Sequence, residues 1–111
     1  MWWLKNLYLG KSVRGKEREI RRKLWRHAGM VNVQILAISL QPGEQIDVIP
    51  SAVLMQRAFP KDELKVIGLA GGWEEAMELI RLICQETFDA TGDGDMRSFL
   101  CKKDYKKSRS F

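Results

Sequence analysis

The run LKVIGLAGGWEEAMELIRLICQETF, residues 64–88, decides the reading of the fold. Its opening, Leu64 to Ala70, is apolar without alternation after Lys65, which predicts a buried strand. Gly71 and Gly72 then turn the chain. From Trp73 onward the apolar positions recur with a helical period. At about 100° per residue, Trp73, Ala76, Met77, Leu79, Ile80, Ile83, Cys84 and Phe88 share one half of the wheel. Glu74, Glu75, Glu78, Arg81, Gln85 and Glu86 take the other half, with Leu82 alone out of place among them. So wide an apolar arc predicts a helix lying flat on a sheet, with Cys84 as a small core side chain.

Upstream, Val31 to Leu40 is rich in β-branched residues, first alternating and then apolar on both sides, which predicts a strand whose second half is covered on both faces. Gln41-Pro42-Gly43-Glu44 is a turn, and Ile46 to Ile49 returns as a brief extended piece. Ser51 is the expected N-cap of a short helix through Arg57, closed by Pro60. Nearer the start, Asn6 to Leu9 reads as a short strand. Ser12 to Ala28 reads as a helix with a narrow apolar stripe of Val13, Ile20, Leu24 and Ala28, His27 at its edge and Gly29 as its stop. Glu17 with Arg21 and Glu19 with Lys23 are i,i+4 pairs on that helix.

Strands alternating with helices at these spacings predict a small α/β domain: a two- or three-stranded, mostly parallel sheet covered by helices, with right-handed crossovers. The expected organisation is a single domain over residues 1–101 and a basic, flexible tail over 102–111. No internal repeat occurs at any period.

With 111 residues, 45% of them hydrophobic, the chain can bury one core without a disulfide or a metal. No apolar run is long enough to span a membrane, and Met1-Trp2-Trp3-Leu4 does not open a signal peptide, so the expected location is cytoplasmic. Two cysteines without a C-x-x-C and one histidine argue against a zinc site or a histidine-based triad. No metal and no cofactor are expected.

The net charge of +5 conceals a segregation. Residues 11–26 carry eight basic side chains against two acidic, and residues 102–111 carry five against one. Residues 28–101 carry five basic against eleven acidic. Basic ends of this kind serve an outside anion or lie on the chain's own acidic middle. Helical projection places Trp25 on the basic face of the first helix, flanked by Arg18, Arg21 and Arg22 with Arg14 close by. Guanidinium groups hold phosphates and an indole stacks on a base, which makes Arg14, Arg18, Arg21, Arg22 and Trp25 the candidate binding residues. The structural alternative is that arginines simply cover an indole packed on a neighbouring loop.

Other motifs are weaker. Asp89, Thr91, Asp93 and Gly94 match the first positions of a calcium loop, yet the twelfth position is Leu100, which supplies no oxygen. Gly68-Leu69-Ala70-Gly71-Gly72 is like a phosphate-cradling turn, but Glu74 and Glu75 fill the helix N-terminus with negative charge. Cys101, beside Lys102 and Lys103, is the more reactive thiol by its surroundings. An acid or base for catalysis would have to be a carboxylate such as Asp47, and no catalytic residue is assigned.

The order L-Y-L-G, basic helix, H-A-G, long strand, V-I-P-S, V-I-G-L-A-G-G-W-E-E-A and T-G-D before M-R-S-F-L resembles a family of small bacterial proteins, about 100 residues long, of unassigned function. The resemblance spans Leu7 to about Leu100. It brings no catalytic or binding residues.

The expected function is a non-enzymatic protein-interaction module, with a protein partner or a second copy of the chain, because so narrow a sheet leaves an edge strand or a helix face wanting cover. The alternative is sequence-tolerant nucleic-acid binding through the basic first helix. No membrane partner is expected.

Overall fold

The computed structural model describes residues 1–25, 33–56 and 58–107, the Trp25 side chain excepted. Among the described residues five strands form one sheet: β1 (Trp2–Leu9), β2 (Gln34–Ile38), β3 (Ile46–Pro50), β4 (Lys65–Ala70) and β5 (Tyr105–Lys107). Their order is β3-β2-β4-β1-β5. Only β1 and β4 pair in parallel, while β2–β3, β2–β4 and β1–β5 are antiparallel. The expected two- or three-stranded, mostly parallel sheet is therefore wrong in strand number and in pairing.

The physical reasons are local connections and one distant closure. The turn at residues 39–45 is too short for a crossover, so Ile38 comes to face Ile46 and the two strands make a hairpin. At the other edge the chain end returns, and Lys107, Lys106 and Tyr105 pair with Trp2, Trp3 and Leu4. Three residues of the expected tail are thus a strand. Residues 108–111 lie outside the described residues.

Helices cover both faces. On one side are α1 (Glu17–Trp25), which a 3-10 turn at Lys11–Val13 precedes, and α2 (Ser51–Leu54). Val13, Ile20, Leu24 and Leu54 pack there with Trp3, Ile35, Ala37, Ile49, Val66 and Leu69. On the other side are α3 (Trp73–Thr91) and α4 (Met96–Cys101). Ala76, Leu79, Ile83 and Leu100 pack there with Leu4, Leu36, Ile38, Ile67 and Ala70. Alternation along β2 sends Ile35 and Ala37 one way and Leu36 and Ile38 the other, which is why that run is apolar at every position. Of the expected stripe, Ile20 and Leu24 are buried on α1 and Val13 is buried in the 3-10 turn before it, whereas Ala28, His27 and Gly29 lie outside the described residues.

β4 carries a bulge: Leu36 faces Gly68 and the next residue, Ala37, faces Val66, so Ile67 is extra. The bulge lets Val66 and Leu69, three apart, enter the same core. Gly68 is fixed by β1, because a Cβ there would stand 2.8 Å from the Tyr8 carbonyl oxygen. α3 ends at Gly92, whose φ of +79° is left-handed and whose N–H donates to the Phe88 carbonyl at 2.8 Å.

Candidate functional site

The basic face of α1 is only partly open. Arg14, Arg18 and Arg22 are exposed. Arg21 is half-buried: its guanidinium lies 4.4 Å from the centroid of the Trp3 ring, and its NH2 is 3.3 Å from Glu17 Oε1. The Arg21 Nε is buried and makes no hydrogen bond among the described residues. Position explains this, since Arg21 follows the buried Ile20 and sits at the border of the stripe. Lys23 pairs with Glu19 at 3.3 Å. The side chain of Trp25, the centre of the expected site, lies outside the described residues. The structure thus keeps Arg14, Arg18 and Arg22 in solvent and draws Arg21 onto the sheet.

The larger finding is on α3. Its buried line is Ala76, Leu79, Ile83 and Thr87, narrower than the apolar arc. Thr87 tolerates full burial because its hydroxyl donates to the Ile83 carbonyl at 2.7 Å. The rest of the arc stays open. Trp73 is 61% exposed and Phe88 57% exposed, Cys84 is exposed, and Met77 and Ile80 are half-buried. The expectation that Cys84 is a small core side chain is therefore wrong, and Trp73 and Phe88, on the same apolar arc, also stay out of the core. These five residues fall within about 80° of one another on the wheel, spaced four, three, four and four apart. They form a continuous seam about 22 Å long.

Two acidic residues fix which way the seam looks. Glu86 accepts a hydrogen bond from the Tyr8 hydroxyl of β1 at 2.8 Å. Glu75 accepts from the Gly71 N–H at 2.8 Å and the Ser12 N–H at 3.3 Å, in the segment that follows β1. Both lie on the flank toward β1. The seam is about half a turn away, toward the β2–β3 side, where Ile46 and Val48 of the edge strand are half-buried. At its rim Arg81 NH1 meets Glu78 Oε1 at 3.1 Å, with both side chains well exposed.

These contacts shape titration. Burial raises the Tyr8 pKa well above the usual phenol range, and the hydrogen bond to Glu86 adds to it. Burial likewise raises Tyr105, whose hydroxyl donates to the Leu100 carbonyl at 2.9 Å. At Glu75 desolvation acts upward, but the hydrogen bonds from Gly71 and Ser12 outweigh it and hold the carboxyl below its ordinary value.

The remaining motifs have local explanations. In the loop resembling a calcium site, Asp93 accepts from the Asp95 N–H at 3.0 Å and Asp95 caps α4 by accepting from the Ser98 N–H at 3.1 Å. Asp89 accepts from Gln85 Nε2 at 2.9 Å. Asp47 lies in β3 opposite Ala37. The thiols of Cys84 and Cys101 are free and exposed. Among the described residues no group of three or more His, Cys, Asp or Glu side chains could hold a metal ion, and no helix is long and apolar enough to cross a membrane.

One signal for the seam was present in the sequence: an apolar half-circle is wider than the contact line one sheet offers a helix, so part of it must face elsewhere. Comparison of the chain with protein-family models, with curated proteins and with solved structures returns no match in any of the three.

Proposed function

We propose that the protein is a non-enzymatic interaction module whose first partner is a second copy of itself, docked through the α3 seam. The observation that carries this is a line on α3 in which Trp73, Cys84 and Phe88 are exposed, while Met77 and Ile80 between them pack partly on the core and keep the rest of their surface open. Its spacing is that of a helix–helix seam. A two-fold axis near Ile80 makes it self-complementary: Trp73 meets Phe88 of the second copy, Met77 meets Cys84, and Ile80 meets Ile80. Arg81 then reaches Glu78 across the axis, exchanging the exposed internal pair of each copy for one between copies. Two aromatic contacts at the ends of the seam supply the largest apolar area.

The seam is one helix face about 22 Å long, so association that depends on concentration is expected. A reducing cytoplasm, in which both exposed thiols stay reduced, suits this reading. Binding of nucleic acid through α1 is less well supported, since Arg21 is engaged by Trp3 and Glu17.

Sedimentation equilibrium over about a hundredfold range of concentration tests the proposal. A reversible dimer is expected, abolished by Ile80→Glu while the circular dichroism stays native. In the antiparallel register, Met77→Cys joins Cys84 of the other copy as a disulfide under mild oxidation. A wild-type chain that stays monomeric throughout the range overturns it.

A further inference from the structure

A second surface stands apart from the seam, at the corner where the chain's first and last described strands meet. The β1–β5 ladder pairs Trp2 with Lys107, Trp3 with Lys106 and Leu4 with Tyr105, and the Lys5 N–H extends it by donating to the Asp104 carbonyl at 3.0 Å. Beside it lies an open notch of about 270 Å³ lined by Leu4, Lys5, Asn6, Lys102, Lys103 and Asp104. Leu4 and Tyr105 belong to the α3 side of the sheet. The two-residue period of the strands puts Trp2 and Lys107 on that same side, and Lys65 joins them as the β4 partner of Trp2.

This corner interleaves rings and ammonium groups. Lys107 Nζ is 5.8 Å from the Trp2 centroid, Lys65 Nζ 5.5 Å from Tyr105 and Lys103 Nζ 4.6 Å from Phe99. Trp2, Tyr105 and Phe99 are each half-buried, so every ring keeps part of its surface in solvent. Lys5, Lys102, Lys106 and Lys107 are exposed. Among the described residues none of these lysines takes part in an ion pair. Among the described residues Asp104 is the one carboxylate on the notch.

We propose that this corner binds single-stranded nucleic acid, with phosphate oxygens in the notch of Lys5, Lys102 and Lys103 and a base stacked against Trp2. The lysines supply a field for the backbone, and a phosphate is a stronger partner for an ammonium than the edge or face of a ring. The rings choose the ligand class. An acidic peptide would use the lysines and leave the rings idle, and a duplex keeps its bases out of reach, whereas an unpaired base offers a face for stacking. The site needs no residue of the α3 seam, so it stands or falls independently of self-association.

Fluorescence anisotropy with a labelled twelve-nucleotide oligothymidylate, run between about 50 and 200 mM salt, reads the proposal directly. The wild-type chain binds with an affinity that falls with salt, with a logarithmic slope near −0.7 per phosphate contacted. Lys5→Gln, Lys102→Gln and Lys103→Gln combined weaken binding about tenfold or more and flatten the slope by about two contacts' worth. Trp2→Ala weakens it further while Trp2→Phe restores most of the loss, because only a ring can stack. Arg18→Gln with Arg22→Gln on α1 leaves binding unchanged. No binding by the wild type, equal loss from the α1 variant, or displacement by polyglutamate as effective as by unlabelled oligonucleotide overturns the proposal. Near-ultraviolet circular dichroism of each variant reports that the fold is kept.

Discussion

The Arg21 guanidinium covers the Trp3 ring at 4.4 Å, joining a helix to the sheet across the layer boundary. Trp3 is 4% exposed and belongs to the core that α1 closes. The arginine therefore works as a lid whose stem is packed and whose head stays paired to Glu17 at 3.3 Å.

Arg21→Ala is expected to lower stability by about 1 kcal/mol, through lost packing and a lost cation–π contact. Arg21→Lys recovers less than half of that, because an ammonium cannot lie flat on an indole as a guanidinium does. Urea unfolding of the two variants beside wild type measures both, and equal stability of all three would refute the lid.

Tyr8 and Glu86 tie β1 to α3 through a 2.8 Å hydrogen bond. Tyr8→Phe is expected to cost about 1 kcal/mol, and Glu86→Gln less, since an amide oxygen still accepts. A double-mutant cycle should return a coupling of about 0.5–1 kcal/mol. A coupling of zero would mean that the bond adds nothing in water.

The pH dependence has two limbs with opposite origins. The Glu75 carboxyl lies below its ordinary value of 4.5, so its stabilisation is present above that pH and is lost as pH falls through the folded value. Glu75→Gln should flatten the acid limb measured by thermal unfolding. Tyr8 and Tyr105 are raised above 10, so their protonated form stabilises the fold until pH climbs past that value, beyond which stability declines. Tyr105→Phe should flatten the alkaline limb.

Gly68→Ala is expected to destabilise by about 2 kcal/mol or more, because the added methyl meets the backbone oxygen of Tyr8, which cannot swing aside. Gly94→Ala, where the space is open, serves as the control. Similar unfolding midpoints for the two would show that β1 shifts freely against β4.

Much of the secondary structure could be read without coordinates. Ile35 to Ile38 and Val66 to Ala70 are apolar at successive positions and prove buried on both faces. Trp73 to Phe88 is helical, and α3 runs on to Thr91. α1 was expected from Ser12 and begins at Glu17, the earlier residues forming a separate 3-10 turn. β5 was missed because Tyr105-Lys106-Lys107 is short and charged, and only its pairing with Trp2 to Leu4 makes it a strand. The site was less legible. The α1 arginines signalled a surface by charge alone, while the α3 seam and the β1–β5 corner needed knowledge of which flank of a helix, and which end of the chain, faces what.

By itself the sequence determined the strongly periodic elements, the apolar runs of β2 and β4 and the helix α3, and which charges each segment carries, since these follow from the spacing of neighbouring residues along one segment. Tertiary structure alone decided that β4 lies between β2 and β1, that three of four strand pairings are antiparallel, and that Trp73 and Phe88 stay in water. The reason is the same in each case. Strand partners and the covered half of an apolar arc are set by contacts between residues far apart in the chain, and a local period records that a face is apolar without recording what meets it.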